Sequence, residues 1–281
     1  MRTTTRPVDT APRSLDTAWS QTGRAAGYIA GSALLAGTVL FLLDAAGLLG
    51  SGPVYHRTSA GPLVDQATFY VAYFGHQHHI VWDIIARDTI LPVAYLALII
   101  AALAVRDRTG PSHPEGQLLV TSFIVGGILS ILADLTFLAA AEYWRQTGWP
   151  VRPPASTVAA GRTVEGIQAL THWPEAFGFA VLAAGLLALA RLCGKHRILP
   201  ASLGALACLE ALLLIGIAVT GLIPDDAGYN WLSLAAGAVV GPVLAIWLGT
   251  ALGRPRPRPR PDRPAPPLDT PRQRRAAADK N

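Results

Sequence analysis

Charge is what this sequence has least of. Asp, Glu, Lys and Arg make up 15% of the 281 residues and 51% are hydrophobic. Soluble domains carry about 25% charged residues and lack apolar runs long enough to cross a bilayer, so a soluble globular class is excluded. Cysteine is also scarce. Cys193 and Cys208 form no CxxC pair and no zinc-finger spacing, and we expect free thiols. There is no Asp-rich diphosphate motif, no P-loop, no GxSxG and no HExxH. No period of 20–50 residues indicates a repeat array, and no inverted repeat of the transporter kind stands out. A secretory leader is not expected either. About 25 polar residues precede the first apolar run, which is long enough to remain in the membrane as an anchor.

What the chain does have is six apolar runs: Tyr28–Leu49, His79–Val105, Gln117–Ala141, Val164–Leu192, Ile198–Leu222 and Trp231–Leu252. Each is close to the ~20 residues a membrane helix needs. The expected fold is all-α, a polytopic bundle of six transmembrane helices over residues 26–252. Polar residues 1–25 read as a disordered tail. After Gly253 the alternation of Arg and Pro from Arg254 to Pro261 excludes helix and strand, so 253–281 reads as a second tail. Gly27, Gly31, Gly37 and Gly47 suit close helix approach, Pro92 and Pro174 suit kinks, and 146–163 reads as the longest internal loop.

The net charge of +5 would suggest nucleic acid in a soluble protein, but its distribution points to lipid. With six spans both ends share a side. That side collects 18 Lys and Arg, against 5 on the other. The positive-inside rule then places both termini in the cytoplasm of a cell-membrane protein, with anionic lipid rather than nucleic acid meeting the basic tail.

Against this background the ionisable residues stand out. His76, His78, His79, Asp83, Arg87 and Asp88 put six such groups in thirteen residues. His76, His79, Asp83 and Arg87 share one helical face, as do Glu165, Gln168, His172 and Glu175. At 1.5 Å per residue, Asp134 lies about 24 Å above Leu118, Glu175 about 22 Å above Ala190, and Asp44 about 24 Å above Tyr28. His172 and Arg87 come out at about 27 Å from the inner ends of their spans. All five fall in the outer third of a ~30 Å core, with Asp83, His79 and Glu165 just beyond. Only Glu210, about 15 Å above Pro200, is near the midplane. Intramembrane charges are costly and tend to face a cavity or one another, so we expect one shared outer polar layer.

Several chemistries suit these residues. Glu175 is the candidate acid, with His172 as its orienting partner or base and Asp134 and Asp83 stabilising positive charge. Arg87, Glu165, Asp44, Trp82 and Trp173 are candidate substrate contacts. Asp83 and Arg87 could equally form an i,i+4 ion pair, and the acids an interhelical hydrogen-bond network. His76 and His79 could bind a metal, or a haem with a histidine of a neighbouring helix, although no cofactor is required. Glu210 could mark a proton or ion path.

Residues 162–252 resemble a family of bacterial six-helix integral membrane proteins without assigned function. Gly161-Arg162-Thr163-Val164-Glu165-Gly166, Arg197-Ile198-Leu199-Pro200 and Ala245-Ile246-Trp247-Leu248 carry the resemblance. It implies six helices with cytoplasmic ends and no activity. Trp173-Pro174-Glu175-Ala176-Phe177-Gly178-Phe179 looks like the Pro-Glu-Glu helix of small membrane carotenoid and meroterpenoid cyclases, with Ala176 at their second Glu. The resulting expectation is an acid–base enzyme, a cyclase or isomerase, acting on a lipophilic, isoprenoid-like molecule. The rival expectations are a small-solute or proton-coupled transporter and an accessory subunit docked to a membrane-protein partner.

Overall fold

The computed structural model describes residues 12–45, 81–110, 112–147, 154–221 and 231–254, with Leu48, Asp65, Thr68 and Ala72. Among these residues there are six helices and no strand. They are α1 (Pro12–Ala45), α2 (Val81–Thr109), α3 (Pro114–Thr147), α4 (Pro154–Gly194), α5 (Ala201–Thr220) and α6 (Trp231–Leu252). Five contain stretches long and apolar enough to cross a membrane: Thr89–Thr109, Pro114–Ala140, Ala169–Gly194, Ala201–Thr220 and Trp231–Leu252. The outer surface is apolar as a lipid-facing surface must be, with Leu96, Leu132, Leu170, Leu212 and Val219 all exposed.

Sequential helices pack as neighbours and α1 closes the ring against both α2 and α6. Helices joined by short connections run antiparallel. The turns at 110–113 and 195–200 therefore share one end of the bundle with the start of α1 and the end of α6. Ser20 Oγ donates to the Leu252 carbonyl there at 2.6 Å, and the Arg108 guanidinium donates to the carbonyls of Ala251, Leu252 and Arg254. A cation on the last carbonyls of a helix offsets its dipole and satisfies acceptors that have no partner within the helix. The apolar core runs from this end, where Val105, Leu119, Leu189, Leu192, Leu203 and Leu252 are fully buried, as far as Leu214 and Ile217 of α5.

Small residues set the helix spacing. A Cβ on Gly27 would come within 2.5 Å of Gly249 Cα, and one on Gly126 within 2.7 Å of the Gly178 carbonyl oxygen. Such contacts between backbones are the device of membrane interfaces, where lipid is as apolar as leucine and burial alone drives little. Gly31 and Gly37 of the expected set are also at tight contacts, whereas Gly47 lies outside the described residues. Cys193 and Cys208 are free, as expected.

Several boundaries differ from the sequence expectation. Residues 12–25 continue α1 rather than forming a tail, and the helix packs at Gly23, where a Cβ would meet Ala104 Cβ at 2.5 Å. The expected loop 146–163 is mostly helix, since α3 runs to Thr147 and α4 begins at Pro154, the first-turn position proline favours. Pro92 and Pro174 lie inside continuous helices. In α6 a π-helical turn, Ala235–Val240, interrupts the α-helix, and the Gly241 N–H reaches back five residues to the Ala236 carbonyl.

Candidate functional site

The buried polar residues lie against the apolar core, with Glu210 on α5 beside core residues Ala207, Ala211 and Leu214. On α3, Ser130 and Asp134 are one turn apart and share a face. That face meets α4 where Gly178 lets the backbones close: a Cβ there would fall 2.8 Å from Ser130 Oγ. Glu175 lies one turn before Gly178. From α2, Tyr95 stands against Ser130, within electrostatic reach of Asp134, Glu175 and Glu210. Carboxyl groups from α3, α4 and α5 thus all act electrostatically on one tyrosine of α2. Asp134, Glu175 and His172 are each engaged with neighbouring groups.

Glu210 has a different environment. It is 7% exposed, and its Oε2 has no hydrogen-bond partner among the described residues. It sits between α5 and α6, where a Cβ on Gly241 would approach Glu210 Oε1 to 3.1 Å, directly after the π-helical turn. Thr38 of α1 meets the same turn: its Oγ1 would lie 2.5 Å from a Cβ on Gly237 and donates to the Leu34 carbonyl at 2.9 Å. π-Helical turns often occur at functional positions in helices, and here the turn faces a buried acid.

A small cleft between α4 and α5 leads toward this layer, lined by His172, Glu175, Ala176, Phe179, Ile217 and Gly221. It is a shallow cleft, with ≈ 180 Å³ of space that includes open solvent, and it encloses no drug-sized cavity. His172 is exposed at its mouth and Glu175 half-buried within. Of the expected site residues, the cleft therefore brings together His172 and Glu175, while Asp134 joins Glu175 around Tyr95. Trp173 does not line the cleft. It is 53% exposed on the outer surface of α4, with its ring centroid 6.2 Å from that of Phe177.

Trp82, Asp83 and Arg87 lie in the first two turns of α2, Asp44 in the last turn of α1, and Glu165 in α4; their side chains are outside the described part. His76 and His79 lie outside the described residues altogether. Among the described residues, the group whose atoms are close enough to hold a metal is His113, Glu115 and His196, at the opposite end of the bundle. Sequence reasoning missed three things: this cluster, Tyr95 with Ser130, and the π-helical turn beside Glu210. The spacing of Ser130 from Asp134 was a usable signal for the second, whereas Ala235–Val240 contains none for the third. Comparison with known proteins returned no match to any protein-family model, curated protein or solved structure.

Proposed function

We propose that the chain is a six-span cell-membrane protein with both termini in the cytoplasm, and that its buried acids form the proton path of a proton-coupled transporter. The observation that carries this proposal is the set of acids Asp134, Glu175 and Glu210, from three helices, all within reach of Tyr95. Ionisable groups inside a membrane bundle mark proton and ion pathways, and a buried unpaired charge costs far more than a buried neutral polar group. Glu210, buried with no partner for Oε2 among the described residues and beside the π-helical turn, is the group that gains and loses a proton. His172 and Glu175 form the entry at the cleft. The likeness of residues 162–252 to a six-helix bacterial family accords with this architecture and adds no activity.

Purified protein in vesicles holding a trapped pH-sensitive dye tests the proposal. With potassium and valinomycin clamping the voltage, an imposed pH gradient should collapse several-fold faster than in empty vesicles. Glu210→Gln and Asp134→Asn should each remove most of the difference. Folded, incorporated protein that leaves the leak at the empty-vesicle rate, across a panel of candidate co-solutes, rejects the transporter.

One observation favours a second function, acid–base catalysis on a lipophilic molecule. The His172–Glu175 cleft lies beside the exposed rings of Trp173 and Phe177, a surface a lipid-soluble substrate could approach from the bilayer. The cleft is too shallow to enclose an isoprenoid and would have to widen by parting α4 from α5. Lipid extracts of cells carrying Glu175→Gln or His172→Ala, compared with wild type, test it. Unchanged extracts with normally inserted protein reject it.

A further inference from the structure

At the end of the bundle where the chain's first and last helices meet, two short turns bring three metal-ligand side chains together. The α2–α3 turn is shaped by Gly110, at φ 93, whose N–H bonds the Arg106 carbonyl at 3.0 Å. It ends at His113, whose carbonyl accepts the first intrahelical bond of α3, from Gln117 N–H at 3.1 Å. Glu115 follows in the first turn of α3, where a carboxylate is favoured by the helix dipole. The α4–α5 turn carries His196. Next to it Arg197 takes the left-handed conformation at φ 52, which is unfavourable for a residue with a Cβ, and the Ile198 N–H closes the turn on the Leu192 carbonyl at 3.3 Å.

His113 Nδ1 lies 3.0 Å from Glu115 Oε2, and His196 Nε2 lies 3.5 Å from Glu115 Oε1. The two imidazole centroids are 4.4 Å apart with the rings at 88°. Both nitrogens are closed off from solvent and face the same Glu115 carboxylate. Two imidazole lone pairs and a carboxylate oxygen thus converge on one point, a donor arrangement that a cation can share. A shared cation satisfies all three groups. Ligands about 2.0–2.1 Å from a tetrahedral ion stand roughly 3.3 Å from one another. One ligand atom from each of the three residues already lies within 4.8 Å of the other two.

We propose that His113, Glu115 and His196 form a binding site for one zinc-class divalent ion that clips the α2–α3 turn to the α4–α5 turn. Two imidazoles and one carboxylate are a donor set suited to Zn²⁺, and three protein ligands leave a fourth position for water. This site is separate from the acid layer and does not depend on the transport proposal.

Full-length protein purified on a tag without histidine, stripped with EDTA and then freed of chelator, is titrated with Zn²⁺ against a chromophoric chelator and with Co²⁺ by visible absorption. The expected result is one tight Zn²⁺ site per chain and the intense visible bands of tetrahedral Co²⁺. His113→Ala, His196→Ala and Glu115→Gln should each weaken Zn²⁺ binding at least tenfold, with Glu115→Gln serving as the near-isosteric variant should a histidine change perturb folding. A His76→Ala/His79→Ala variant should bind as wild type does. No tetrahedral Co²⁺ spectrum, or binding lost in that double variant and kept in the other three, overturns the proposal.

Discussion

Replacing Glu210 by leucine should make the protein more stable while abolishing its proton flux. Glu210 is 7% exposed and its Oε2 has no hydrogen-bond partner among the described residues, so the fold bears the cost of burying a polar atom without the bond that would offset it. For a neutral carboxyl that cost is about 1–3 kcal/mol on the scale of protein substitutions. Leucine removes the unpartnered oxygen. Unfolding equilibria in mixed micelles of mild detergent and dodecyl sulfate, monitored by helical circular dichroism, should show Glu210→Leu stabilised by about 1–3 kcal/mol, or roughly 5- to 150-fold in the equilibrium constant. Glu210→Gln keeps the shape and a polar head, so it should stay within about 1 kcal/mol of wild type. Destabilisation of Glu210→Leu by more than about 1 kcal/mol would show that the carboxyl is a satisfied member of a structural network, and the reasoning that makes it functional would fail.

Two further changes test the packing described above. Gly27→Ala forces a Cβ to within 2.5 Å of Gly249 Cα, a backbone atom that cannot rotate away, so α1 must part from α6. The same unfolding assay should show a loss of about 1–3 kcal/mol, whereas Gly166→Ala, with nothing within 4 Å of the added carbon, should be neutral or gain up to about 1 kcal/mol. Arg108→Ala removes the donor to three carbonyls at the end of α6 and should cost about 1.5–3 kcal/mol. Arg108→Lys should recover little of that, since an ammonium group lacks the planar fork that reaches several carbonyls at once, and limited proteolysis beyond Gly253 should report the loosened helix end in both variants.

The candidate site was only partly legible in the sequence. His172 and Glu175 sit on one helix, and the i,i+3 rule is enough to place them on one face; they do line one cleft. Asp134 was singled out because an acid in an apolar run is conspicuous, and depth counting put it level with Glu175. Tyr95 and Ser130 were overlooked because neither residue type is unusual in a membrane helix. They matter only because α2 and α3 bring them to the acids. Glu210 was noticed as a solitary midplane acid, but neither its lack of a partner nor the π-helical turn beside it follows from periodicity. The metal expectation fell on the histidine-rich 76–79 stretch because local spacing was the only available guide. His113 and His196 are 83 residues apart in the chain, and only the pairing of two turns brings them together.

Local composition by itself therefore determined the helical class, the membrane setting and the approximate helices, because each depends on interactions within about 20 consecutive residues and between those residues and lipid. The start of α1 depended on contacts made elsewhere. The polar run before Tyr28 is held in helix by Ala104 and Leu252, a fact no window centred on residues 12–25 contains. The ring order of the helices, the grouping of acids around Tyr95, the buried environment of Glu210 and the meeting of His113 with His196 were all decided by the tertiary structure. Lipid matches the apolar faces equally well in many arrangements. What selects one is close backbone approach at pairs such as Gly27 with Gly249 and Gly126 with Gly178, a steric fit between distant segments.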